Sequence, residues 1–223
     1  MGKLIVIEGT DSSGKETQTK QLFERLKKEN KNVKKISFPN YDSPACEPVK
    51  MYLAGAFGED AMEVNPYPVS TMYAIDRYAS YKTDWEKFYK NDGIIVTDRY
   101  VTSNMVHQAS KIEDKNEKIE YLKWLDELEY EKMGIPRPDL IIFLNMPTEM
   151  AVKLMEVRKN KITGESKKDI HERDTAYLEK SHKNACSIAE MYNWKEIKCS
   201  DGDRIKTIEE IGEEVYKLVK ELV

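Results

Sequence analysis

The chain has 223 residues, 40% of them hydrophobic and 34% charged, which suits one globular α/β domain with enough apolar material for a buried core. Its net charge of −4 argues against a general nucleic-acid-binding surface, and its apolar runs are far shorter than the ~20 residues of a membrane-spanning helix. The three cysteines have no paired or metal-like spacing, so we expect free thiols in a cytoplasmic protein.

Five short apolar runs alternate with segments of helical periodicity along the chain. The runs predict buried parallel strands at Lys3–Glu8, Val33–Phe38, Gly93–Thr97, Asp139–Leu144 and Glu196–Cys199. The periodic segments predict helices at Lys15–Glu29, Pro44–Leu53, Pro66–Tyr89, Thr102–Lys111, Asn116–Lys132, Thr148–Arg158, Glu172–Tyr192 and Lys206–Leu222. This alternation is typical of a doubly wound five-stranded parallel sheet flanked by helices, and we expect residues 1–223 to form one domain. Ligands of such sheets bind at the carboxyl ends of the strands, where the polar motifs of this chain fall.

The segment that joins the first predicted strand to the first predicted helix matches G-x-x-x-x-G-K, the phosphate-binding loop of nucleotide-using enzymes. Glycines let successive backbone N–H groups converge on one oxyanion, and the helix N-terminus adds positive potential. Lys15 supplies a cation to the β- and γ-phosphates. We therefore expect phosphate contacts from Gly9, Thr10, Asp11, Ser12, Ser13, Gly14, Lys15, Glu16 and Thr17. The alternative is a glycine-rich turn that only joins a strand to a helix.

Glu16 departs from the phosphate-loop pattern, which has Ser or Thr after the lysine as a ligand of Mg²⁺. A carboxylate is itself a good ligand for Mg²⁺, so Glu16 is a candidate metal ligand. Two alternatives stay open: an acid that holds a metal-bound water, and an acid favoured only by the positive end of the helix.

Tyr73 and Arg77 lie four residues apart in the third predicted helix, so they share one face of it. An aromatic ring that stacks on a base, beside a guanidinium that donates to the base edge, makes a nucleobase site. Taken alone, a tyrosine in this setting is more often part of a core. The phosphate loop upstream is what favours the nucleobase interpretation.

Asp98 and Arg99 follow the third predicted strand, at the edge of the sheet where ligands collect. An acid at this point resembles the metal-side aspartate of phosphate-loop enzymes, which makes Asp98 a second candidate ligand of Mg²⁺. An adjacent arginine can neutralise a phosphoryl group in transfer. The alternative is an ion pair at the end of a strand.

Residues 157–174 are polar and basic, with a central glycine, and cannot pack against a core. They form either a solvated surface loop or a lid that brings Arg158, Lys159 or Lys161 over the phosphates and excludes water. Composition alone favours the plain loop.

With these motifs in this order, the chain resembles the thymidylate kinases, which are nucleoside monophosphate kinases of the P-loop NTPase fold. The resemblance runs from residue 3 to near the C-terminus. Its motifs are the phosphate loop with Asp11, Phe38-Pro39, Tyr73 with Arg77, Asp98-Arg99-Tyr100, Ser103-Asn104 with Gln108, and Asp169 with Glu172, Arg173 and Asp174. The resemblance implies ATP and Mg²⁺ as cofactors, a lid at about residues 157–171 and a homodimer. It also implies that dTMP contacts Asp11, Phe38, Tyr73, Arg77, Arg99, Ser103, Asn104 and Gln108.

Three features depart from the family pattern. Ser12 stands in the phosphate loop where one subtype has an arginine, so the resemblance assigns the catalytic arginine to the lid, at Arg158. His107 and His171 stand where an aromatic residue is frequent. A basic residue is common near Phe38-Pro39, but Asn40-Tyr41 follow here, which leaves the acceptor phosphate one cation fewer.

The sequence thus predicts ATP-dependent phosphorylation of a pyrimidine deoxynucleoside monophosphate, dTMP to dTDP, with Lys15, Arg99 and Arg158 as catalytic residues. ATP and dTMP are the expected small-molecule partners, and no partnership with nucleic acid or a membrane is expected. The acceptor phosphate is already ionised at neutral pH, so positioning and charge neutralisation supply the catalysis.

Two other functions remain as alternatives. A deoxynucleoside kinase shares the layout but needs a carboxylate base near the end of the second strand, where Asn40 and Tyr41 precede Asp42. A nucleotide-dependent switch protein is disfavoured because Asn145-Met146-Pro147 stands after the fourth strand in place of the guanine-specific N-K-x-D.

Overall fold

A parallel sheet organises the protein. The computed structural model describes residues 1–58, 60–162 and 175–223, without the side chains of residues 156–162 and 175. Five strands pair in parallel in the order β2-β3-β1-β4-β5. They are β1 (Lys3–Glu8), β2 (Val33–Ser37), β3 (Ile94–Asp98), β4 (Leu140–Asn145) and β5 (Lys195–Lys198). The predicted fold class is confirmed, and every predicted strand agrees with the structure to within one residue at each end.

The strand β1 is buried on both faces of the sheet. Leu4 and Val6 contribute to one apolar layer, and Ile5 and Ile7 contribute to the other. Side chains of a strand alternate between its faces, so burial of both faces makes the strand a continuous apolar run in the sequence. Because β1 pairs with β3 on one side and β4 on the other, the segment that leaves its carboxyl end lies at the centre of one sheet edge.

Helices cover both faces of the sheet. They are α1 (Lys15–Lys28), α2 (Glu47–Leu53), α3 (Pro66–Ser80), α4 (Glu86–Lys90), α5 (Val101–His107), α6 (Lys115–Asp126), α7 (Thr148–Ile162), α8 (Thr175–Met191) and α9 (Ile208–Lys220). Short 3₁₀ turns occupy Pro44–Cys46 and Ala109–Lys111, and π-helical turns occupy Tyr81–Trp85 and Glu127–Lys132. No helix in the described ranges combines the length and the apolar character that crossing a membrane requires.

Several helix boundaries differ from the prediction. The single helix expected over Pro66–Tyr89 is interrupted by the π-helical turn Tyr81–Trp85. The prediction missed this turn because the spacing of apolar residues does not reveal a local change of helical winding. The last helix begins at Ile208 because Thr207 caps it: Glu210 N–H donates to the threonine hydroxyl at 3.1 Å, and Thr207 N–H donates to the Glu210 carboxylate at 2.7 Å.

A small antiparallel pair of strands was not predicted. It consists of β6 (Ser200–Asp201) and β7 (Arg204–Ile205), which flank a turn with Gly202 in the left-handed region at φ 58°. Strands of two residues are too short to produce a periodic signal. The predicted start of the helix at Glu172 lies outside the described residues, and from Thr175 onward the helix is present.

Candidate active site

The phosphate loop occupies the turn between β1 and α1, and two of its glycines are required by local geometry. A Cβ atom at Gly9 would lie 2.5 Å from Ser13 Oγ and 2.9 Å from the carbonyl oxygen of Leu144, so no larger residue fits there. Gly14 immediately precedes α1 with φ 88°, a left-handed conformation that favours glycine. The loop therefore has the tight turn that the sequence motif predicts.

Lys15 begins α1 and points its ammonium group back into the loop. Nζ donates to the carbonyl oxygen of Thr10 at 2.7 Å, and the side chain is buried. Burial, followed by the nearby Arg99 guanidinium, lowers the pKa of Lys15, while neighbouring carboxylates act in the opposite direction. The result is a poorly hydrated cation at the centre of the loop, held ready for an anionic ligand.

Asp98 and Glu16 both line one small cleft, the loop cleft. The loop cleft has a volume of about 170 Å³ and is lined by Asp11, Ser12, Gly14, Lys15, Glu16, Asp98 and Arg99. Oδ1 of Asp98 is buried and accepts no hydrogen bond from the described residues. Burial raises the pKa of the Asp98 carboxyl, against the pull of Lys15 and Arg99. An unsatisfied buried carboxylate oxygen beside a phosphate loop suits a divalent cation or the water that such a cation holds.

Glu16 is exposed on the first turn of α1. It also lines a wider cleft of about 350 Å³ with Asp98, Arg99 and Lys35, which extends toward the loop after β2. Among the described side chains no group of three or more His, Cys, Asp or Glu residues forms a metal site. Lys35, which sequence reasoning missed, adds a cation to the lining of this wider cleft.

The eight residues expected to contact dTMP all line a second cleft, the inner cleft. The inner cleft has a volume of about 220 Å³. The predicted residues that line it are Asp11, Phe38, Tyr73, Arg77, Arg99, Ser103, Asn104 and Gln108. Residues not assigned to this site from the sequence also line it, namely Pro39, Tyr41, Leu53, Tyr100 and His107. These positions come from the loops after β1, β2 and β3 and from α2, α3 and α5 with the residue that follows α5, and the three loops meet at the carboxyl edge of the sheet.

Arg99 joins the inner cleft to the loop cleft, since it lines both. Its guanidinium contacts the Asp11 carboxylate, lies 2.9 Å from His107 Nε2 and donates to Ser103 Oγ at 3.4 Å. Its backbone adopts φ 65°, a left-handed conformation that is uncommon for a residue other than glycine. Burial acts to lower the pKa of Arg99, but the carboxylates of Asp11 and Glu8 outweigh it and raise the pKa, so the side chain stays cationic.

Glu8 supports this arrangement and was not singled out from the sequence. One carboxylate oxygen accepts from the N–H of Gly9 at 2.9 Å, and the other accepts from the hydroxyls of Thr102 at 2.6 Å and Ser103 at 2.8 Å. The side chain is fully buried, and Arg99 lies 3.9 Å from it. An acid at the end of an otherwise apolar strand was the available signal, because a buried charge requires partners.

Arg77 is anchored from behind by a residue that sequence reasoning also missed. Its Nε and Nη2 each donate to one oxygen of Glu129 at 2.6 Å, and its Nη1 donates to the carbonyl of Tyr100 at 3.3 Å. Burial raises the pKa of Glu129, against the pull of Arg77. Because the contact to the guanidinium is short and bidentate, we take the pair as ionic. Tyr73, one turn earlier on α3, lines the inner cleft beside this pair.

The loop after β2 closes one side of the inner cleft. The Phe38–Pro39 peptide bond is cis. The N–H of Asn40 donates to Oδ2 of Asp76 at 2.8 Å, which ties this loop to α3 beside Arg77. Asp42, the acid that follows the position where a deoxynucleoside kinase needs a carboxylate base, is exposed and is not among the residues that line the inner cleft.

The expected lid falls mostly outside the described residues. Arg158, Lys159 and Lys161 belong to α7, but their side chains are not described, and residues 163–171 lie outside the described ranges. Their predicted roles therefore stay predictions.

Comparisons with known proteins identify the family of this chain. The family model described as thymidylate kinase matches residues 7–210. The thymidylate kinase of Mycobacterium tuberculosis H37Rv is 29% identical over 172 residues, which cover 77% of this chain and 78% of that protein. The thymidylate kinase of Schizosaccharomyces pombe is 30% identical over 151 residues, which cover 67% of this chain and 64% of that protein.

Among solved structures, a thymidylate kinase from Candida albicans has the same fold. Its TM-score is 0.73 at 20% sequence identity, with 98% of this chain and 91% of that chain covered. Because the family model spans most of the sequence and the fold agrees, this chain belongs to the thymidylate kinase family and is a nucleotide kinase.

Proposed function

We propose that the enzyme transfers the γ-phosphoryl group of ATP to the 5′-phosphate of dTMP and releases dTDP and ADP. The observation that carries this proposal is the junction of two clefts. Asp11 and Arg99 line both the inner cleft and the loop cleft. A nucleotide in the inner cleft with its phosphate at Arg99 would therefore face the phosphates held by the loop at Lys15.

The chain's contribution to the reaction is positioning and neutralisation of charge. The loop N–H groups and Lys15 hold the β- and γ-phosphates of the donor. Arg99 holds the acceptor phosphate, and exchanges its contact with Asp11 for one with the phosphate. The acceptor is a phosphate that already carries negative charge at neutral pH, so no side chain has to remove a proton from it.

We propose Mg²⁺ as the metal cofactor, with the carboxylates of Asp98 and Glu16 as its candidate protein ligands. The support is the unsatisfied Oδ1 of Asp98 and the exposed carboxylate of Glu16, which line one cleft with Lys15. When bound, Mg²⁺ neutralises charge that develops on the phosphoryl oxygens. Asp98 and Glu16 would hold the cation or its bound water in the loop cleft, and Lys15 would add a second positive charge beside the phosphates.

The inner end of the cleft suits the thymine base. Tyr73 supplies an aromatic face, and Arg77 supplies N–H donors for a carbonyl on the ring edge. Asn104 donates one Nδ2–H to the carbonyl of Ser70 at 3.3 Å, and its amide oxygen can accept from a ring N–H. Ser103 and Gln108 complete the proposed dTMP contacts.

The lid and the quaternary structure belong to this proposal. We infer one domain over residues 1–223, with a lid at about residues 157–171 that brings Arg158 to the transferring phosphoryl group.

We also propose a homodimer that forms through α3. Tyr67, Ile75 and Tyr78 lie along this helix, and more than a third of the surface of each is exposed. Sedimentation velocity tests the dimer: the wild-type protein should give a mass twice the 26.0 kDa of the chain, and Tyr78→Glu should shift the mass toward that of the monomer.

A cytoplasmic location is also proposed, on the pattern of cysteines. Cys46 and Cys199 are buried thiols, and burial raises the pKa of each to about 12, which keeps them protonated and unreactive.

A coupled assay of ADP release tests the activity. ATP is supplied with a panel of dTMP, dUMP, dCMP, dGMP and thymidine, and the product of each active pair is identified by chromatography. We expect the highest kcat/KM with dTMP. Turnover of thymidine without turnover of dTMP would overturn the proposal in favour of a deoxynucleoside kinase.

A further inference from the structure

We propose that Glu129 is a positioning residue that makes the inner cleft bind its nucleotide in one direction, with the neutral base at Arg77 and the phosphate at Arg99. The inference rests on the proposed function, because it concerns the orientation of the same substrate. It starts from the fact that the inner cleft is lined by two arginines. A phosphate is a good partner for either guanidinium, so something must decide between them.

The two arginines differ in how their charge is met. Arg77 is 1% exposed, and its Nε and Nη2 each donate a hydrogen bond of 2.6 Å to one oxygen of the fully buried Glu129. A carboxylate in that buried bidentate position neutralises most of the guanidinium charge, because little water screens the pair. Arg99 is also paired, with the Asp11 carboxylate and at 3.9 Å with Glu8, but Arg99 and Asp11 keep 18% and 21% of their side chains exposed beside the phosphate loop, so a phosphate can take the place of Asp11 there.

The same contacts fix which atoms of Arg77 remain for a ligand. A guanidinium has five N–H groups, and the contacts with Glu129 and the Tyr100 carbonyl use three of them. Among the described contacts, two N–H groups on the terminal nitrogens remain. Donors on a group whose charge is neutralised by a buried bidentate carboxylate suit a neutral acceptor such as a ring carbonyl. They attract a phosphate dianion less than Arg99 does, because the carboxylate partner of Arg99 is partly exposed and can be displaced.

Glu129 is well placed to hold this geometry. It lies on the π-helical turn Glu127–Lys132, behind Arg77 as seen from the cleft, and it is not one of the residues that line the cleft. It therefore acts on the nucleotide only through Arg77. Removing its charge without changing its shape should leave a cation at the base end, and phosphate should then compete for that end.

The test uses thymidine and inorganic phosphate as two dead-end inhibitors against dTMP. In wild type, thymidine occupies the base end and phosphate occupies Arg99, so the two should inhibit together. In Glu129→Gln, phosphate should also bind at Arg77. Thymidine and phosphate should then exclude each other. Relative to wild type, inhibition by phosphate should be at least tenfold stronger and KM for dTMP at least tenfold higher. KM for ATP should change less than twofold.

Two further variants separate this role from a loss of structure. Asp126→Asn removes the carboxylate of a comparable bidentate pair on the surface, where Arg137 donates to Asp126, and it should match wild type in every measurement. Arg77→Met/Glu129→Gln should match Arg77→Met alone, with no gain in inhibition by phosphate. Mutual exclusion of the two inhibitors in wild type would overturn the inference, and this measurement stands even where Glu129→Gln does not fold.

The remaining outcomes are also decisive. A folded Glu129→Gln that behaves like Asp126→Asn would overturn the role of Glu129 while leaving dTMP kinase activity intact. A stronger inhibition by phosphate that persists in the Arg77→Met background would show that Glu129 does not act through Arg77. Failure of the proposed function is distinct, because wild type itself would then not phosphorylate dTMP.

Discussion

Nζ of Lys15 lies 2.7 Å from the carbonyl oxygen of Thr10, so the lysine of the phosphate loop is bonded to the loop that it serves. The bond holds the ammonium inside the curve of the backbone, where donor phosphates are expected. Burial lowers the pKa of this ammonium, which indicates a site where a charge is poorly hydrated and interacts strongly with an incoming anion.

Replacing Lys15 by alanine should abolish most of the catalysis without unfolding the protein. We expect kcat to fall by about 10²–10³-fold or more, because a charge contact made to the transition state is lost. Circular dichroism should be unchanged. Lys20→Ala, an exposed lysine on the same helix, is the matched control and should keep normal turnover. Normal turnover in a folded Lys15→Ala would contradict phosphoryl transfer at this loop.

Tyr73 should matter for dTMP and not for ATP. Tyr73→Ala removes the aromatic face that we assign to the base, and base stacking is worth about 1–3 kcal/mol. KM for dTMP should therefore rise about tenfold or more, with little change in KM for ATP, as measured by steady-state kinetics. Tyr192→Ala, at an exposed tyrosine at the end of α8, serves as the control. An effect confined to ATP would mean that the two nucleotides occupy the opposite clefts.

The parts of this structure that the sequence predicted are those determined by neighbours in the chain. The strand β1 is apolar at successive positions because both sheet faces are covered. Gly9 and Gly14 stand where the turn itself admits no other residue without strain. Such signals are readable because their physical cause lies within a few residues.

The parts that were missed depend on partners far apart in the chain. Glu129 is 52 residues from Arg77, and Glu8 is 94 residues from Thr102. No local pattern pairs such residues, since the pairing exists only once the sheet brings β1, α3 and α5 to one edge. The contact between Arg99 and His107 joins residues only eight apart, but no helical or strand period predicts it, because Arg99 has a left-handed backbone conformation outside both elements.

Arg158 should carry the catalytic charge of the lid. Ser12 leaves the phosphate loop without an arginine, so we expect Arg158→Ala to lower the rate of phosphoryl transfer by about a hundredfold or more, by analogy with arginines that neutralise a transferring phosphoryl group. Rapid-quench kinetics measure that step directly. If Lys159→Ala or Lys161→Ala causes the loss, the lid supplies the charge from another residue. If none of the three variants is impaired, the lid proposal is wrong.

Lys111 should make stability depend on pH above neutrality. Nζ donates to the hydroxyl of Tyr52 at 3.1 Å and to the carbonyl of Val64 at 3.0 Å, and burial lowers the pKa of this ammonium to about 7. The unfolded chain, with its ordinary pKa near 10.4, binds more protons between these values, so this lysine's contribution to the free energy of unfolding rises from about pH 7 to about pH 10.

Urea unfolding at pH 7 and pH 9 checks the effect of Lys111. The gain in stability between the two values should be larger in wild type than in Lys111→Met, by on the order of 1 kcal/mol. Lys115→Met changes an exposed lysine and should leave the gain as it is in wild type. Equal gains in all three proteins would show that Lys111 is not desolvated as the contacts indicate.

Glu16 is the sharpest departure from the phosphate-loop motif, because it places a negative charge where the motif has a neutral hydroxyl. A carboxylate beside a triphosphate adds repulsion unless a cation faces it. Glu16 shares the loop cleft with Asp98, and the buried Oδ1 of Asp98 accepts no hydrogen bond from the described residues. Two carboxylates and a phosphate around one cleft suit a divalent cation, so we expect Glu16 within reach of Mg²⁺ or of its bound water.

The variant Glu16→Gln keeps the size of the side chain and removes its charge. The concentration of Mg²⁺ that gives half-maximal activity should rise by about threefold or more, since the charge of the ligands tunes the affinity for the cation. The affinity for dTMP should not change, because the inner cleft is not lined by this residue. Glu24→Gln, an exposed glutamate two turns along α1, is the control. The competing role is an acid that only meets the positive end of α1, worth about 0.3–1 kcal/mol. In that case the Mg²⁺ titrations of Glu16→Gln and wild type would superimpose, and the metal would be left to Asp98 and the phosphates.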